Sequence, residues 1–135
     1  MASVVVLAAG PLLLFDRGDP LVNAFLLGAH RKFTDLVIPA AALAQVWRGP
    51  MNARVANLIR SSRVISMDEE IARRSGVLCA LTGTSDVVDA SVVAVAEIEH
   101  ASILTSDPDD IARLAGRAIG CGPVLDVTRI PRRRP

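Results

Sequence analysis

Short apolar runs alternate along the chain with longer segments in which apolar residues recur at helical spacing. The runs predict strands at positions 3–7, 36–38, 63–65, 101–104 and 124–127, the last being the weakest. The segments between them predict helices, such as an amphipathic helix in which Met51, Val55, Leu58 and Ile59 form one stripe. Strands that alternate with helices are typical of a parallel sheet covered on both faces. We therefore predict an α/β fold, a three-layer α/β/α sandwich with a short parallel sheet of four to five strands.

Several predicted helices begin at an acidic residue or a proline. Asp19 followed by Pro20 predicts an N-cap and the first residue of a helix that reaches about His30. The segment Ser-Met-Asp-Glu at 66–69 fits a capping box before a later helix. Apolar residues between positions 21 and 27 cover more than one helical face, which predicts that part of this helix packs on a second copy of the chain.

One predicted helix is apolar on nearly every side and yet begins with two acidic residues. In the stretch GTSDVVDASVVAVAE (83–97), Asp86 comes three residues before Asp89, and no Lys or Arg lies within six residues of either. Asp86 can act as an N-cap that accepts the backbone N–H of Asp89, whose own carboxylate lies near the positive end of the helix dipole. Capping alone would account for both residues, so any further role depends on what the fold brings near them.

A third carboxylate follows the predicted fourth strand. Asp107 comes three residues after Leu104, and ligands of parallel sheets bind beyond the carboxyl ends of the strands. The helix that begins at Asp86 directly precedes this strand, so Asp86, Asp89 and Asp107 should converge at one edge. Converging carboxylates repel one another unless a cation lies between them, and ligand sets made only of oxygen favour Mg²⁺ or Mn²⁺. Alternatively, Asp107 or Ser106 only caps the following helix.

Composition narrows the classes of function. The 135 residues suffice for one domain, 51% of them are hydrophobic and 3% aromatic, and the net charge is +1. No overall field favours nucleic acid or membrane, and the longest apolar run, 8–15, is far too short to span a bilayer. The segment before Arg17 lacks the cation of a secretory signal, and Cys79 and Cys121 are isolated thiols, so we expect a cytoplasmic protein without disulfides. The sequence contains neither a phosphate-binding Gly-rich loop nor a hydroxyl nucleophile with a nearby His.

Four segments carry a resemblance to a known family: VVVLAAGPLLLFDRGDP, IPAAALAQVWRG, TGTSDVVDASVVAVA and LTSDPDDIARL. In this order and spacing, from about Val4 to Leu114, they resemble PIN-domain ribonucleases, in particular the VapC toxins of toxin–antitoxin modules. The resemblance implies a PIN-like domain over residues 1–128 and a basic C-terminal tail, 129–135. It also implies an acidic cluster that binds Mg²⁺ or Mn²⁺, hydrolysis of RNA (with tRNA one candidate substrate), a homodimer and inhibition by a VapB-like antitoxin.

Carried over residue by residue, the resemblance assigns site roles to five positions. Asp89 matches the Asp of the family's "DA" helix motif, and Asp107 matches the Asp of its "T-x-D" motif. Asp86 is an additional acid one turn earlier. Gln45 stands where many relatives carry Glu, and its carbonyl could still orient a metal ligand. Ala8 stands where the family has its first metal-binding Asp, and an alanine side chain cannot coordinate anything.

The resemblance therefore predicts an endoribonuclease that is weak or inactive because of Ala8. Three explanations of Ala8 remain open: an introduced inactivating substitution, a naturally degenerate toxin, or an error in the register of the first strand. The intact neighbours VVVL and AGPLL favour the first and argue against the third. The main alternative function is a PIN-like module without catalysis that binds RNA or an antitoxin, and a receiver-like signalling domain is a more distant one.

Contacts to RNA phosphates would have to come from local groups, because the net charge is near zero. The candidate cations are Arg48, Arg54, Arg60, Arg73, Arg74 and the tail arginines 132–134. Each of them is more commonly a solvated surface charge, and the few aromatic residues leave little scope for base stacking. An antitoxin, in contrast, is expected to pair an Arg or Lys with the acidic cluster.

Overall fold

The computed structural model describes residues 3–50 and 52–129. Its strands are β1 (Val4–Leu7), β2 (Asp35–Pro39), β3 (Arg63–Ile65), β4 (Ser102–Thr105) and β5 (Val124–Asp126). Its helices are α1 (Ala9–Asp16), α2 (Pro20–Arg31), α3 (Ala40–Val46), α4 (Ala53–Arg60), α5 (Glu69–Thr82), α6 (Val87–Glu99) and α7 (Pro108–Ala115), and a 3₁₀ turn, Val127–Arg129, follows β5. The predicted α/β class with a parallel sheet is confirmed.

All five strands pair in parallel, in the order β3-β2-β1-β4-β5. Val6 pairs with Val37 on one side of β1 and with Ile103 on the other, so β1 is the central strand. The chain moves outward from β1 to β3 and then returns to β4 on the opposite side of β1. The order in which strands are added therefore reverses between β1 and β4, while all strands stay parallel. Ligands of such sheets bind beyond the carboxyl ends of the two strands at this point.

The helices form two groups that cover the two faces of the sheet. Crossovers between parallel strands are right-handed, which places α1–α4 on one face and α5–α7 on the other. Within the first group α1 contacts α2, α3 and α4, and within the second α5 contacts α6 and α7. Helix α3 begins directly after β2 and contacts both α1 and α6, so it joins the two groups.

Helix α6 is the core helix of the molecule. Its residues Ala90–Ala96 are all buried, because nearly every face of this segment is apolar. In the described part of the chain no single helix has both the length and the apolarity to cross a membrane, and α5 and α6 meet that test only together, as a pair bent by 114°.

Local signals placed most helix starts correctly and one incorrectly. Asp19 caps α2 by accepting hydrogen bonds from the backbone N–H groups of Leu21 and Val22, at 3.0 and 3.1 Å. The capping box predicted at 66–69 is wrong, because the N-cap of α5 is Asp68, which accepts the N–H of Ile71 at 2.9 Å. Ser66 instead accepts the N–H of Asp68 through its backbone carbonyl, in the turn before the helix.

Helix α2 buries only part of its apolar surface within the chain itself. Val22, Leu26 and Ala29 are buried, whereas Leu27 is 49% exposed. The fold therefore satisfies part of the apolar excess that predicted a second copy. Met51, the first residue of the predicted stripe of α4, lies outside the described residues, as does all of the basic tail except Arg129.

Candidate metal centre

Two helices begin at the carboxyl edge of the sheet with the same spacing of acids. Helix α6 has Asp86 as N-cap and Asp89 three residues later, and α7 has Asp107 as N-cap and Asp110 three residues later. The N-cap and the third residue after it lie on the same side of a helix start, because the capping side chain reaches the N–H of that third residue. Each helix therefore presents a pair of carboxylates, and the two pairs meet where β1 and β4 end.

The cap geometry differs between the two helices. Asp86 Oδ1 accepts the backbone N–H of Asp89 at 3.0 Å, as predicted for an N-cap. Asp107 makes no side-chain cap hydrogen bond; its own backbone N–H donates to the hydroxyl of the buried Thr105 at 3.0 Å. The Asp107 carboxylate is thus not needed to cap α7, while the turn after β4 fixes its backbone.

Three carboxylates converge. Asp89, Asp107 and Asp110 each offer an oxygen, and these oxygens lie within 4.8 Å of one another. Two oxygens that bind one ion at about 2.0–2.6 Å can be at most about 5 Å apart, so this separation suits a single hard cation. Asp89 is half-buried, and the other two are exposed.

Mutual repulsion and burial raise the pKa values of two acids in this cluster. The pKa of Asp89 is raised to about 6, first by burial and then by the negative charge of Asp86, with smaller contributions from Asp107 and Asp110. The pKa of Asp107 is also raised, first by its hydrogen bond with Asp110 and then by burial. In the part of the chain that is described, no Lys or Arg forms an ion pair with this cluster.

Ala8 lies beside this cluster, at the end of β1. It is the N-cap residue of α1, its N–H donates to the carbonyl of Leu104 at 3.0 Å, and its side chain is only 3% exposed. The first turn of α1 also packs tightly on the turn after β4. A Cβ atom added to Gly10 would lie only 1.9 Å from Ser106 Oγ, so this position leaves no room for a side chain. Position 8 therefore lies at the same sheet edge as Asp107, where it contributes only a methyl group.

Gln45 is not part of the carboxylate cluster. It is exposed on α3 and forms one wall of a cleft of about 340 Å³, whose other lining residues are Ala9, Gly10, Leu13, Val46 and Arg48. The structure thus places Gln45 across from the first turn of α1. Among the described residues its side chain has no hydrogen-bond partner that would orient it toward the acids.

Sequence reasoning missed Asp110, and the predicted role of Asp86 as a ligand stays a prediction. Asp110 belongs to the carboxylate triad, whereas Asp86 lies outside it and acts on Asp89 through its cap hydrogen bond and its charge. The signal for Asp110 was present, because Asp-x-x-Asp occurs at the start of both α6 and α7.

The donor set fits a hard divalent cation. All three donors are carboxylate oxygens, and no His or thiol of the described chain belongs to the triad. The free thiol of Cys79 approaches only the backbone carbonyl of Asp86, at 3.8 Å. Oxygen-only sets favour Mg²⁺ or Mn²⁺ over softer metals.

No protein-family model and no curated protein sequence matches the chain. Solved structures do match it. One match is a chain in the structure of VapBC2 from Rickettsia felis bound to a fragment of its promoter DNA. It has a TM-score of 0.66 at 12% identity, with 91% of this chain and 97% of that chain covered. A chain of FitAcB from Neisseria gonorrhoeae has a TM-score of 0.63 at 14% identity, with 93% and 99% covered.

A third similar structure, FitAB bound to an IR36 DNA fragment, has a TM-score of 0.68 at 13% identity, with 96% of this chain and 99% of that chain covered. The matches extend over nearly the whole of both chains, so the similarity concerns the complete domain. At these identities it establishes the fold alone. The chain therefore has the fold found in the VapBC2 and FitAB toxin–antitoxin complexes, which confirms the PIN-like architecture that the resemblance implies.

Proposed function

We propose that the chain is a metal-dependent endoribonuclease toxin of the VapC type, impaired in catalysis by Ala8. The observation that carries this proposal is the convergence of Asp89, Asp107 and Asp110 at the carboxyl edge of the sheet, where β1 and β4 end. Within residues 3–50 and 52–129, no Lys or Arg forms an ion pair with these carboxylates. A protein of this fold gains nothing in stability from three carboxylates that repel one another. Such a cluster is better explained by binding of a cation.

The three carboxylates would hold Mg²⁺ or Mn²⁺. When bound, such an ion offsets the charge that develops on a phosphate and lowers the pKa of an attacking water. Asp89 is half-buried, and the hydrogen bond that its backbone N–H donates to Asp86 fixes the first turn of α6, on which Asp89 lies. Gln45, on the opposite side of the cleft, is a candidate for positioning the substrate through its amide.

Ala8 leaves one side of the candidate centre without a donor. Loss of an outer-shell partner alone typically costs about 10–100-fold in metal affinity or activity, and a missing carboxylate ligand should cost at least as much. We therefore expect the chain as it stands to bind metal weakly and to cleave RNA slowly or not at all.

The proposal includes partners and location. A VapB-like antitoxin would place an Arg or Lys side chain on the acidic cluster, where a guanidinium can pair bidentately with a carboxylate. RNA, with tRNA one candidate, would be the substrate. The exposed side chain of Leu27 on α2 would lie in a homodimer contact, and the protein would act in the cytoplasm.

Replacing Ala8 tests the proposal. Ala8→Asp should give Mg²⁺-dependent cleavage of total RNA at least 10-fold faster than the parent chain, because it adds a carboxylate beside the triad. Ala8→Asn, of nearly the same size but uncharged, is the matched control and should remain slow. Cleavage is compared with Mg²⁺ and with a chelator, and Mn²⁺ binding is measured by titration for each variant and for Asp89→Asn.

Two results would contradict the proposal. Absence of Mn²⁺ binding to both the parent and Ala8→Asp would remove the metal centre. Metal-dependent cleavage by the parent as fast as by Ala8→Asp would show that Ala8 does not impair catalysis. If Ala8→Asp binds Mn²⁺ tightly and cleaves no RNA, the alternative function, a non-catalytic module that binds RNA or an antitoxin, is favoured; the missing carboxylate at Ala8 is the observation behind it.

A further inference from the structure

The C-terminal end of α3 separates two clefts. Four residues at helical spacing form one face, and with Ile59 of α4 they line an apolar cleft of about 350 Å³: Ala40, Leu43, Ala44 and Trp47. The adjacent face of α3, with residues of α1, lines the second cleft of about 340 Å³, to which Gln45 and Arg48 belong. The consecutive residues Trp47 and Arg48 therefore line different clefts.

The second cleft adjoins the acidic edge. Gly10, in its wall, packs against Ser106, and Ser106 directly precedes Asp107. Helix α3, which forms the opposite wall, also contacts α6, the helix that carries Asp89. A chain-like ligand that reaches the carboxylates from this side therefore passes along the cleft beside Arg48.

The buried side-chain amide of Asn52 fixes the backbone around Arg48. The backbone N–H of Arg48 donates to Asn52 Oδ1 at 2.5 Å, and Asn52 is only 4% exposed. Asn52 Nδ2 in turn donates to Asp16 Oδ2 at 2.8 Å and to the carbonyl of Val46 at 3.4 Å. This network ties the end of α3 to the end of α1, so the position of Arg48 relative to the cleft does not depend on a free loop.

The guanidinium of Arg48 is only partly used. Its Nη1 donates to the carbonyls of Trp47 at 2.6 Å and Ala44 at 3.3 Å, which by itself would be an ordinary helix C-cap. Its Nε and Nη2 have no hydrogen-bond partner within the described part of the chain, and no carboxylate there forms an ion pair with it. A held guanidinium with free donors suits a phosphate, which accepts two parallel hydrogen bonds.

Trp47 offers the apolar counterpart. It is the only Trp of the sequence, which contains no Tyr, and its side chain is 40% exposed on the apolar cleft. Its backbone is extended (φ −66°, ψ 129°) although its N–H still closes the last turn of α3, at 2.8 Å from the carbonyl of Leu43. An exposed indole beside a cation is the pairing by which proteins bind single-stranded nucleic acid, since bases stack on the ring while the cation holds the backbone.

We infer that a single RNA strand crosses the C-terminal end of α3 on its way to the acidic edge, with one phosphate on Arg48 and a neighbouring base stacked on Trp47. This inference rests on the proposed nuclease function and specifies how that site takes its substrate. Arg48 offsets the repulsion between the polyanion and the carboxylate cluster, which the net charge of +1 does not. The substrate class is single-stranded RNA, because a base within a duplex cannot present its face to an indole.

Fluorescence of Trp47 tests the inference without cleavage. A 2′-O-methyl oligonucleotide of about six nucleotides, within the length that such sites cover, is titrated in the presence of a chelator. Stacking should quench the emission saturably. Arg48→Ala should weaken binding about 5-fold or more and reduce by about one the slope of log affinity against log salt. Arg48→Lys, which keeps the charge, should recover part of the affinity.

The matched control is Arg31→Ala at the end of α2. Arg31 is also exposed but lines neither cleft, so its removal should leave binding and quenching unchanged. Unchanged melting temperatures of the Arg48 variants show that loss of binding is not loss of fold. Absence of quenching, or an Arg48→Ala variant that binds like Arg31→Ala, overturns the inference.

Other results separate this inference from the proposed function. Quenching by an apolar helical peptide but not by the oligonucleotide overturns the inference in favour of a protein partner in the apolar cleft. Arg48-dependent quenching in a protein that binds no Mn²⁺ supports the strand site while the nuclease proposal fails. Conversely, if Ala8→Asp binds Mn²⁺ tightly and cleaves RNA, and adding Arg48→Ala to that variant changes neither property, the nuclease proposal is supported and the strand site is overturned.

Discussion

At the scale of single residues, Asp89 is subject to the largest conflict. It is half-buried, its backbone N–H donates to Asp86, and the charges of Asp86 and of two further carboxylates act on its own, which together raise its pKa to about 6. A proton or a divalent cation can relieve this repulsion, and the two compete for the same oxygens. The stability of the metal-free protein should therefore respond to pH in an unusual direction.

We expect the metal-free protein to lose stability as pH rises from about 4 to 6. The folded pKa of Asp89, about 6, lies above the ordinary value of 3.8, so the folded state binds this proton more tightly than the unfolded state does. The corresponding stabilisation is complete below the ordinary value and is lost as pH rises through the folded one. Melting temperatures measured in a chelator should show this decline in the parent and much less of it in Asp89→Asn.

Asp109→Asn is the control for this measurement, because Asp109 is an exposed acid of the same helix start that lies outside the triad. It should keep the decline of the parent. A difference in melting temperature between the parent and Asp89→Asn that stays constant from pH 4 to 6 would contradict the raised pKa of Asp89. The affinity of the protein for Mn²⁺ should increase as pH rises over the same range, since the metal displaces the proton.

The convergence of Asp89 and Asp107 could be foreseen, whereas the part played by Asp110 was not. Each of the first two follows from topology, since a helix start and a strand end meet at the carboxyl edge of a parallel sheet. Asp110 belongs to the triad because the third residue after the N-cap of α7 faces α6. That orientation depends on how the two helices pack, which neither spacing nor composition specifies.

At the scale of elements, α5 and α6 begin in the same way and differ in what their caps serve. Asp68 accepts the N–H of Ile71 at 2.9 Å, and Asp86 accepts the N–H of Asp89 at 3.0 Å. The two caps are therefore matched in geometry, but only the second lies beside the carboxylate cluster. This pair allows the structural role of a cap to be separated from an influence on metal binding.

Asp86→Ala and Asp68→Ala should each lower the free energy of unfolding by about 1 kcal/mol, the usual loss when an N-cap is removed. Only Asp86→Ala should also lower the pKa of Asp89, because it removes a neighbouring negative charge. Asp86→Asn keeps a capping oxygen without the charge, and it should retain stability while shifting this pKa. Denaturant unfolding and the titration of Asp89 followed by NMR measure the two effects.

If Asp86 were itself a metal ligand, Asp86→Asn would reduce Mn²⁺ affinity by 10-fold or more, in contrast to the small effect expected of a cap. If Asp68→Ala altered metal affinity as much as Asp86→Ala, the effect would reflect general destabilisation. Equal affinity of the parent and Asp86→Asn supports the assignment of Asp86 as a cap.

The order and type of the elements were predictable, and their ends were less so. Ser66 and Asp68 are both good N-caps, and the sequence alone does not rank them. Pairing decides, because Ile65 is held beside Pro39 as the last residue of β3 and the chain needs a turn before α5 can start. Similarly, β4 extends to Thr105, one residue past the predicted end, because Thr105 pairs with Asp126.

At the scale of the whole molecule, assembly remains a prediction. Leu27 on α2 and Leu81 on α5 are exposed to similar extents, 49% and 47%. We expect the protein to dimerise through α2, so Leu27→Lys should convert a dimer to a monomer, whereas Leu81→Lys should not. Sedimentation velocity at micromolar concentration measures this. Neither variant should lose much thermal stability as a monomer, since both side chains are largely in water.

A parent chain that sediments as a monomer at this concentration counts against dimerisation through α2. Dissociation by Leu81→Lys instead of Leu27→Lys would move the interface to α5. Val22, Leu26 and Ala29 of α2 are covered by its own chain, so the contact left for a second copy would be small, and a weak association is the expected form.

The pairing of β1 with β4 also sets the order in which the acidic cluster can form. Strand β1, which ends just before Ala8, leaves the ribosome ahead of its neighbour β4 and the acids of α7, because β2, β3 and α1–α6 are all made in between. Closing so long a loop is slow compared with forming local helices. Each newly made copy therefore lacks an assembled cluster until α7 has been made, so the carboxylates that the proposed ribonuclease would need come together only after the strands β1–β3 and the helices α1–α6 that precede β4 have been translated.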